Sequence, residues 1–119
     1  MCYTRAVEAN VKTIVIYVTK DGNKPFKQWL DSLRDKVTVA RINARLSRIE
    51  VGNFGDSKPV GHGVIELRLV FGSGYRVYCG LDGEKLVVLL VGGDKSTQEK
   101  DIKIAHDYWS DYLRRMQHD

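Results

Sequence analysis

Hydrophobic and polar positions alternate between two periods along this chain. Thr13 to Thr19 (TIVIYVT) is β-branched and aromatic, apolar on both faces, and predicts a well-covered strand. Lys20-Asp21-Gly22-Asn23 then supplies a turn. Pro25 suits the first position of a helix, where its missing N–H is no loss, and Phe26, Trp29, Leu30 and Leu33 follow as one apolar stripe. Asp35 is the expected cap of a second helix with Val39, Ile42, Leu46 and Ile49 on its buried side, and Gly52 ends it. Residues 1–12 show no period and read as a loosely held arm, which leaves 13–119 as a single domain.

Residues 52–63 (GNFGDSKPVGHG) form a glycine-rich loop too short to link domains. Three apolar-alternating segments follow, Val64–Phe71, Tyr75–Gly80 and Lys85–Gly92, and the short turns between them predict an antiparallel meander. Ser96-Thr97-Gln98-Glu99 has capping-box spacing. The helix it opens has Ile102, Ala105, Trp109, Leu113 and Met116 at buried positions. The predicted order is β-α-α-β-β-β-α, an α+β fold with helices against one antiparallel-rich sheet.

Composition narrows the class. The 119 residues suit one core, and 43% hydrophobic with 29% charged residues excludes a disordered chain. No apolar run reaches the roughly 18 residues of a membrane span, and the N-terminus lacks a secretion-signal pattern, so a soluble, cytoplasmic protein is expected. Cys2 and Cys79 make neither a disulfide framework nor a zinc site, and Cys79 alternates with Tyr75 and Val77 as a buried free thiol would. The net charge of +4 is uneven: residues 1–60 hold 11 Lys/Arg against 6 Asp/Glu, residues 61–119 hold 8 against 9. A basic N-terminal half directs attention to a polyanion.

The sheet carries the chemistry. Ile65, Leu67, Leu69 and Phe71 share one face of their strand, and Glu66 and Arg68 the other. A three-residue turn at Gly72-Ser73-Gly74 would pair Phe71 with Tyr75, Val70 with Arg76 and Arg68 with Tyr78. A two-residue turn at Asp82-Gly83 would set Tyr78 against Val87 and Arg76 against Leu89. Glu66, Arg68, Arg76 and Tyr78 thus converge on one side. Lys95, beside the N–H groups of the last helix, adds a phosphate-favouring position. The competing expectation is a solvated face on which arginines and glutamate pair for solubility. Arg41, Arg45 and Arg48 make a second basic surface on one side of helix two, and Lys58 and His62 lie in the glycine-rich loop. His106 and His118 fall on the last helix. Metal sites are unsupported, because Glu66 and Asp94 alone are not a cage.

Three blocks, Gly63-Val-Ile-Glu-Leu-Arg68, Gly74-Tyr-Arg-Val-Tyr78 and Gly92-Gly-Asp-Lys-Ser-Thr-Gln98 with Asp101, Ile102 and Ala105, resemble the RelE/HigB-type toxins of bacterial type II toxin–antitoxin systems, including a branch first noted in phages. Lys24-Pro25-Phe26, Trp29-Leu30 and Gly52-Asn53-Phe54-Gly55-Asp56 fit the same branch, so the resemblance spans about residues 13–113. It implies a microbial RNase-type fold with two helices on a sheet. It implies an mRNA endoribonuclease acting on the ribosome without cofactor, and an antitoxin partner, often a helix-turn-helix protein, through which alone DNA would be met. By position, Arg76 matches the family's phosphate-stabilising arginine, Arg68 a basic residue on the preceding strand, and Lys95 lies near a basic or histidine position after the last strand.

Metal-free cleavage uses the RNA's own 2′-hydroxyl and asks the protein for alignment, charge stabilisation and proton transfer. Arg76 and Arg68 suit the phosphorane, Lys95 the leaving oxygen, Glu66 the base and Tyr78 a stacked base or sugar. His62 could reach the site, Lys58 could touch RNA, and Arg41, Arg45 and Arg48 would contact ribosomal RNA. Lacking a well-placed histidine, such a protein would lean on the ribosome to arrange its substrate. The alternatives are a non-catalytic RNA- or ribosome-binding module and a ParE-like toxin directed at gyrase.

Overall fold

A computed structural model describes residues 11–117, so Cys2, His118 and residues 1–10 of the expected arm lie outside it. The elements are β1 (Thr13–Ile16), α1 (Pro25–Ser32), α2 (Lys36–Glu50), β2 (Ser57–Pro59), β3 (Val64–Leu69), β4 (Tyr75–Asp82), β5 (Leu86–Gly93), a 3₁₀ turn (Lys95–Thr97) and α3 (Gln98–Gln117). Five strands make one mixed sheet in the order β1-β5-β4-β3-β2. β1 runs parallel to β5, from Thr13 opposite Leu86 to Ile16 opposite Leu89, and the other pairs are antiparallel.

Both faces of the sheet are covered. Phe26 of α1 and Ile42 and Ile49 of α2 pack on Leu67, Leu69, Val77, Cys79, Val87 and Leu89. On the opposite face, Ala105 and Trp109 of α3 pack on Tyr17, Val64, Tyr78, Val88 and Leu90. The helices expected on the sheet are therefore divided, two on one side and the long C-terminal one on the other. Pro25 opens α1, and Asp35 caps α2 by accepting from Val37 N at 3.0 Å. Gly52, at φ +88°, follows the helix end.

Several expectations need correction. The glycine-rich loop contains a strand, β2, which pairs Lys58 with Glu66 and extends the sheet. β1 stops at Ile16 with its end residues exposed, because it is an edge strand with one neighbour. Lys12 N already donates to Glu50 O at 2.8 Å, so the chain is anchored before β1. The β3–β4 turn spans five residues, since Leu69 faces Tyr75, and the β4–β5 turn spans three, since Asp82 faces Leu86. Arg68 thus opposes Arg76, and Glu66 opposes Tyr78.

On β5 the register jumps from Leu89, opposite Cys79, to Val91, opposite Tyr78, which makes Leu90 a bulge. The extra residue reverses the facing of Val91, Gly92 and Gly93, and together with the shifted turn register it puts Gly93 rather than Leu89 opposite Arg76. In α3 the buried stripe runs through Asp101, Ala105 and Trp109, while Leu113 and Met116 emerge to 37% and 47% exposure. Tyr108 and Tyr112 take the packing positions expected of those two.

Two glycines let the helices approach. A Cβ at Gly80 would overlap the Trp109 ring on the α3 side, and one at Gly92 would overlap Trp29 on the α1 side. Gly80→Ala or Gly92→Ala should each lower stability by about 1–3 kcal/mol through overpacking, read by urea unfolding. Tyr17 donates to Asp111 at 2.6 Å and Tyr112 to Asp82 at 2.8 Å, tying α3 to the sheet. Burial, then the bond to the neighbouring carboxylate, pushes each phenol from 10.0 up to about 12. The native state therefore holds these protons more tightly than the unfolded chain. Stability from this source is complete below pH 10 and falls as pH rises towards 12, which denaturant titrations across that range should detect.

Candidate functional site

Val64 and Glu66 of β3 and Tyr78 and Gly80 of β4 lie on the face covered by α3, and this places a carboxylate in the interior. Glu66 is 0% exposed, beneath the first turn of α3. Its Oε2 accepts from Tyr78 Oη at 3.0 Å and from Gln98 Nε2 at 2.9 Å, and lies 3.7 Å from Arg76 Nε. Its Oε1 faces Lys58 Nζ at 3.9 Å but forms no hydrogen bond. Arg76 Nε is likewise buried and unbonded. Two polar atoms of one ion pair are thus left short of partners, where interior groups are ordinarily satisfied.

The rest of Arg76 is held at the surface end of this cluster. Its Nη1 donates to Gly74 O at 2.9 Å, and its side chain is 12% exposed. Gly74, at φ +78°, lies between Arg76 and Lys95: a Cβ there would be in ordinary contact, 3.5 Å, with both Arg76 Nη1 and Lys95 Cβ. Lys95 is exposed in the 3₁₀ turn, so a basic pair flanks the bare backbone of Gly74. The helix N-terminus beside Lys95 is not vacant for an anion as expected. Asp94 occupies it, accepting from Ser96 N at 2.9 Å and Ser96 Oγ at 2.6 Å. Those bonds, the Ser96 hydroxyl foremost, hold the Asp94 carboxyl below its ordinary range.

Arg68, though opposite Arg76, turns away from it. Its Nη2 meets Asp56 Oδ1 at 3.0 Å, at the edge where β2 has not yet begun. There it joins Arg41, Arg45 and Arg48 around a hollow of about 470 Å³. Arg45 does not face a partner molecule: it donates to Phe54 O, Asp56 O and Arg68 O at 2.8, 2.7 and 2.6 Å. It clamps the glycine-rich loop to α2. Arg41 and Arg48 are exposed, and the Arg41 guanidinium lies 5.1 Å from the centre of the Phe71 ring.

The expected site is therefore split. Glu66, Arg76, Tyr78 and Lys58 come together, with Lys95 beside Arg76, whereas Arg68 joins the α2 arginines. Glu66 is too enclosed to meet a substrate as base, and Tyr78, at 0% exposure, offers no ring face to a nucleobase. Burial foremost, then Glu66, drives the Tyr78 phenol upward, so it stays a neutral donor. His62 sits at the far end of β3, 4.4 Å ring to ring from His106, and is no part of the cluster. Sequence reasoning does not pick out Gln98 and Asp56, because each reaches the site from another element: Gln98 from the first turn of α3 to Glu66, Asp56 from the loop before β2 to Arg68. Among the described residues, no three His, Cys, Asp or Glu side chains gather where they could hold a metal ion.

Fold and site define a small α+β protein whose mixed sheet ends in arginine–carboxylate clusters. Residues 28–109 match the family described as Phage derived protein Gp49-like (DUF891). The chain belongs to this Gp49-like family, a family of toxin-like proteins whose members in general imply an antitoxin partner. It is also similar to a Haemophilus influenzae protein described as uncharacterized, 54% identical over 80 residues, which are 67% of this chain and 81% of that protein. No solved structure matches. Among the described residues no helix is long and apolar enough to cross a membrane.

Removing the Glu66 carboxylate strands the Arg76 charge. Glu66→Ala should cost about 3–5 kcal/mol in urea unfolding, with Glu66→Gln, which keeps an acceptor for Tyr78, costing less.

Proposed function

We propose that this chain is the toxin of a toxin–antitoxin pair and an mRNA endoribonuclease of RelE/HigB type, acting without a metal on ribosome-bound message. The observation that carries the reading is Arg76, drawn by a buried carboxylate to the bare backbone of Gly74 beside Lys95. A guanidinium fixed in this way costs little reorganisation when a phosphorane forms, which is the condition for electrostatic catalysis.

In this reading the 2′-oxygen attacks phosphorus as its proton passes to solvent. The bond to the 5′-oxygen breaks, leaving a 2′,3′-cyclic phosphate and a 5′-hydroxyl. Lys95 protonates the departing oxygen. Glu66 is the electrostatic anchor that orients Arg76, a role its burial supports better than that of base. The cluster contains no histidine among the described residues, and this supports dependence on the ribosome to align the substrate. A helix-turn-helix antitoxin would restrain the protein.

Arg68 favours a second reading. Its engagement with Asp56, and that of Arg76 with Glu66, suits a non-catalytic module that only occupies RNA or ribosomes. Energetics weigh against giving this priority. The Arg68–Asp56 pair is 43% and 45% exposed, so it contributes at most about 1 kcal/mol and yields readily to a phosphate.

Induced expression in a bacterium should halt translation and generate new mRNA 5′ ends, and Arg76→Ala should abolish both, a loss of roughly a hundredfold or more in cleavage. Arrest without new ends would support the binding module. DNA damage on induction would point to a gyrase-directed toxin.

A further inference from the structure

We propose that the hollow between α2 and the β3–β4 turn is a second RNA-binding site, which seats one nucleotide of a single strand with phosphate on Arg41 and Arg48 and the base at Phe71. The site rests on the RNA-directed reading above but not on cleavage. At about 470 Å³ the hollow has the size of a small-ligand site, for which 300–1,000 Å³ is typical.

Its charge is one-sided. Arg41, Arg45, Arg48 and Arg68 line it against the one carboxylate of Asp56. All four cations are arginines, whose planar fork matches two phosphate oxygens at once.

The four have separate tasks. Arg45 is committed to three backbone carbonyls and forms a fixed wall. The wall is shaped by Gly55, at φ +64°, where a Cβ would lie only 3.1 Å from Arg45 Nε. Arg68 is balanced by Asp56. Arg41 and Arg48 remain exposed, so two positive charges are left to an incoming anion.

An anion alone would not explain the apolar side of the hollow. Val70 is 89% exposed, and half-buried Phe71 carries the Arg41 guanidinium near its ring. A nucleobase extends that stack through its own π-face, which is how single-stranded nucleic acid is held without sequence readout. An acidic peptide would satisfy the charges but leave the ring and guanidinium platform unused.

The test uses the full chain carrying Arg76→Ala and a fluorescein-labelled oligoribonucleotide containing 4-thiouridine. Adding Arg41→Ala with Arg48→Ala should weaken binding about tenfold and reduce the slope of log affinity against log salt by about 0.7, the share of the one phosphate that the two arginines hold. Photocrosslinks should fall on the peptide containing Phe71, be retained in Phe71→Tyr and be lost in Phe71→Ala. Unchanged affinity and slope, or crosslinks only near Gly74 and Lys95, would overturn the site. So would efficient displacement by a polyglutamate peptide that itself protects Phe71. Failure here with cleavage intact in the unaltered chain refutes the hollow alone. Crosslinking at Phe71 with no cleavage of ribosome-bound message by the unaltered chain refutes the nuclease and leaves the hollow standing.

Discussion

A carboxylate removed from water must be met by donors and cations, and those around Glu66 come from three separate elements. Tyr78 and Arg76 belong to β4, Lys58 to β2 and Gln98 to the first turn of α3. Desolvating such an ion costs several kcal/mol, so the cluster is stable only when all of these elements are in place. The same requirement aligns the sheet edge, the central hairpin and the C-terminal helix. It also fixes Arg76. The ion pair is longer than an ideal contact, and Glu66 Oε1 and Arg76 Nε stay unpartnered, so the interaction positions the arginine more than it stabilises the fold.

The arginines of this protein do different work for reasons of exposure rather than charge. Arg45 spends its donors on backbone carbonyls and sets the path of the glycine-rich loop. Arg76 is nearly enclosed and Arg68 lies in a solvent-exposed pair. Arg41 and Arg48 stay in water on the same side of α2. A count of basic residues treats these as one surface, yet only the last two present a charge not already met inside the molecule.

Much of this was legible along the chain. The helix stripes, the Asp35 cap, the three long strands and the shared facing of Glu66, Arg68, Arg76 and Tyr78 follow from local period and residue type. The shared facing survives even though both turns differ in length from expectation, because the β3–β4 register error is two residues and two is the strand's own period. The Leu90 bulge has no such protection. One extra residue reverses the side on which Val91, Gly92 and Gly93 project, and nothing in the run LVVLLVGG marks where it falls.

Sequence by itself determined the main repeating units: where the helices and the three long strands fall, which face of each is apolar, and that one sheet face carries ionisable groups. These depend on neighbours within a few positions. Only the tertiary structure decided that α3 closes over that face, turning Glu66 and Tyr78 from surface groups into interior ones. It also decided that Arg68 leans to Asp56 and the α2 hollow. Burial and pairing arise from segments far apart in the chain, where packing area and charge neutralisation, rather than local period, select the arrangement.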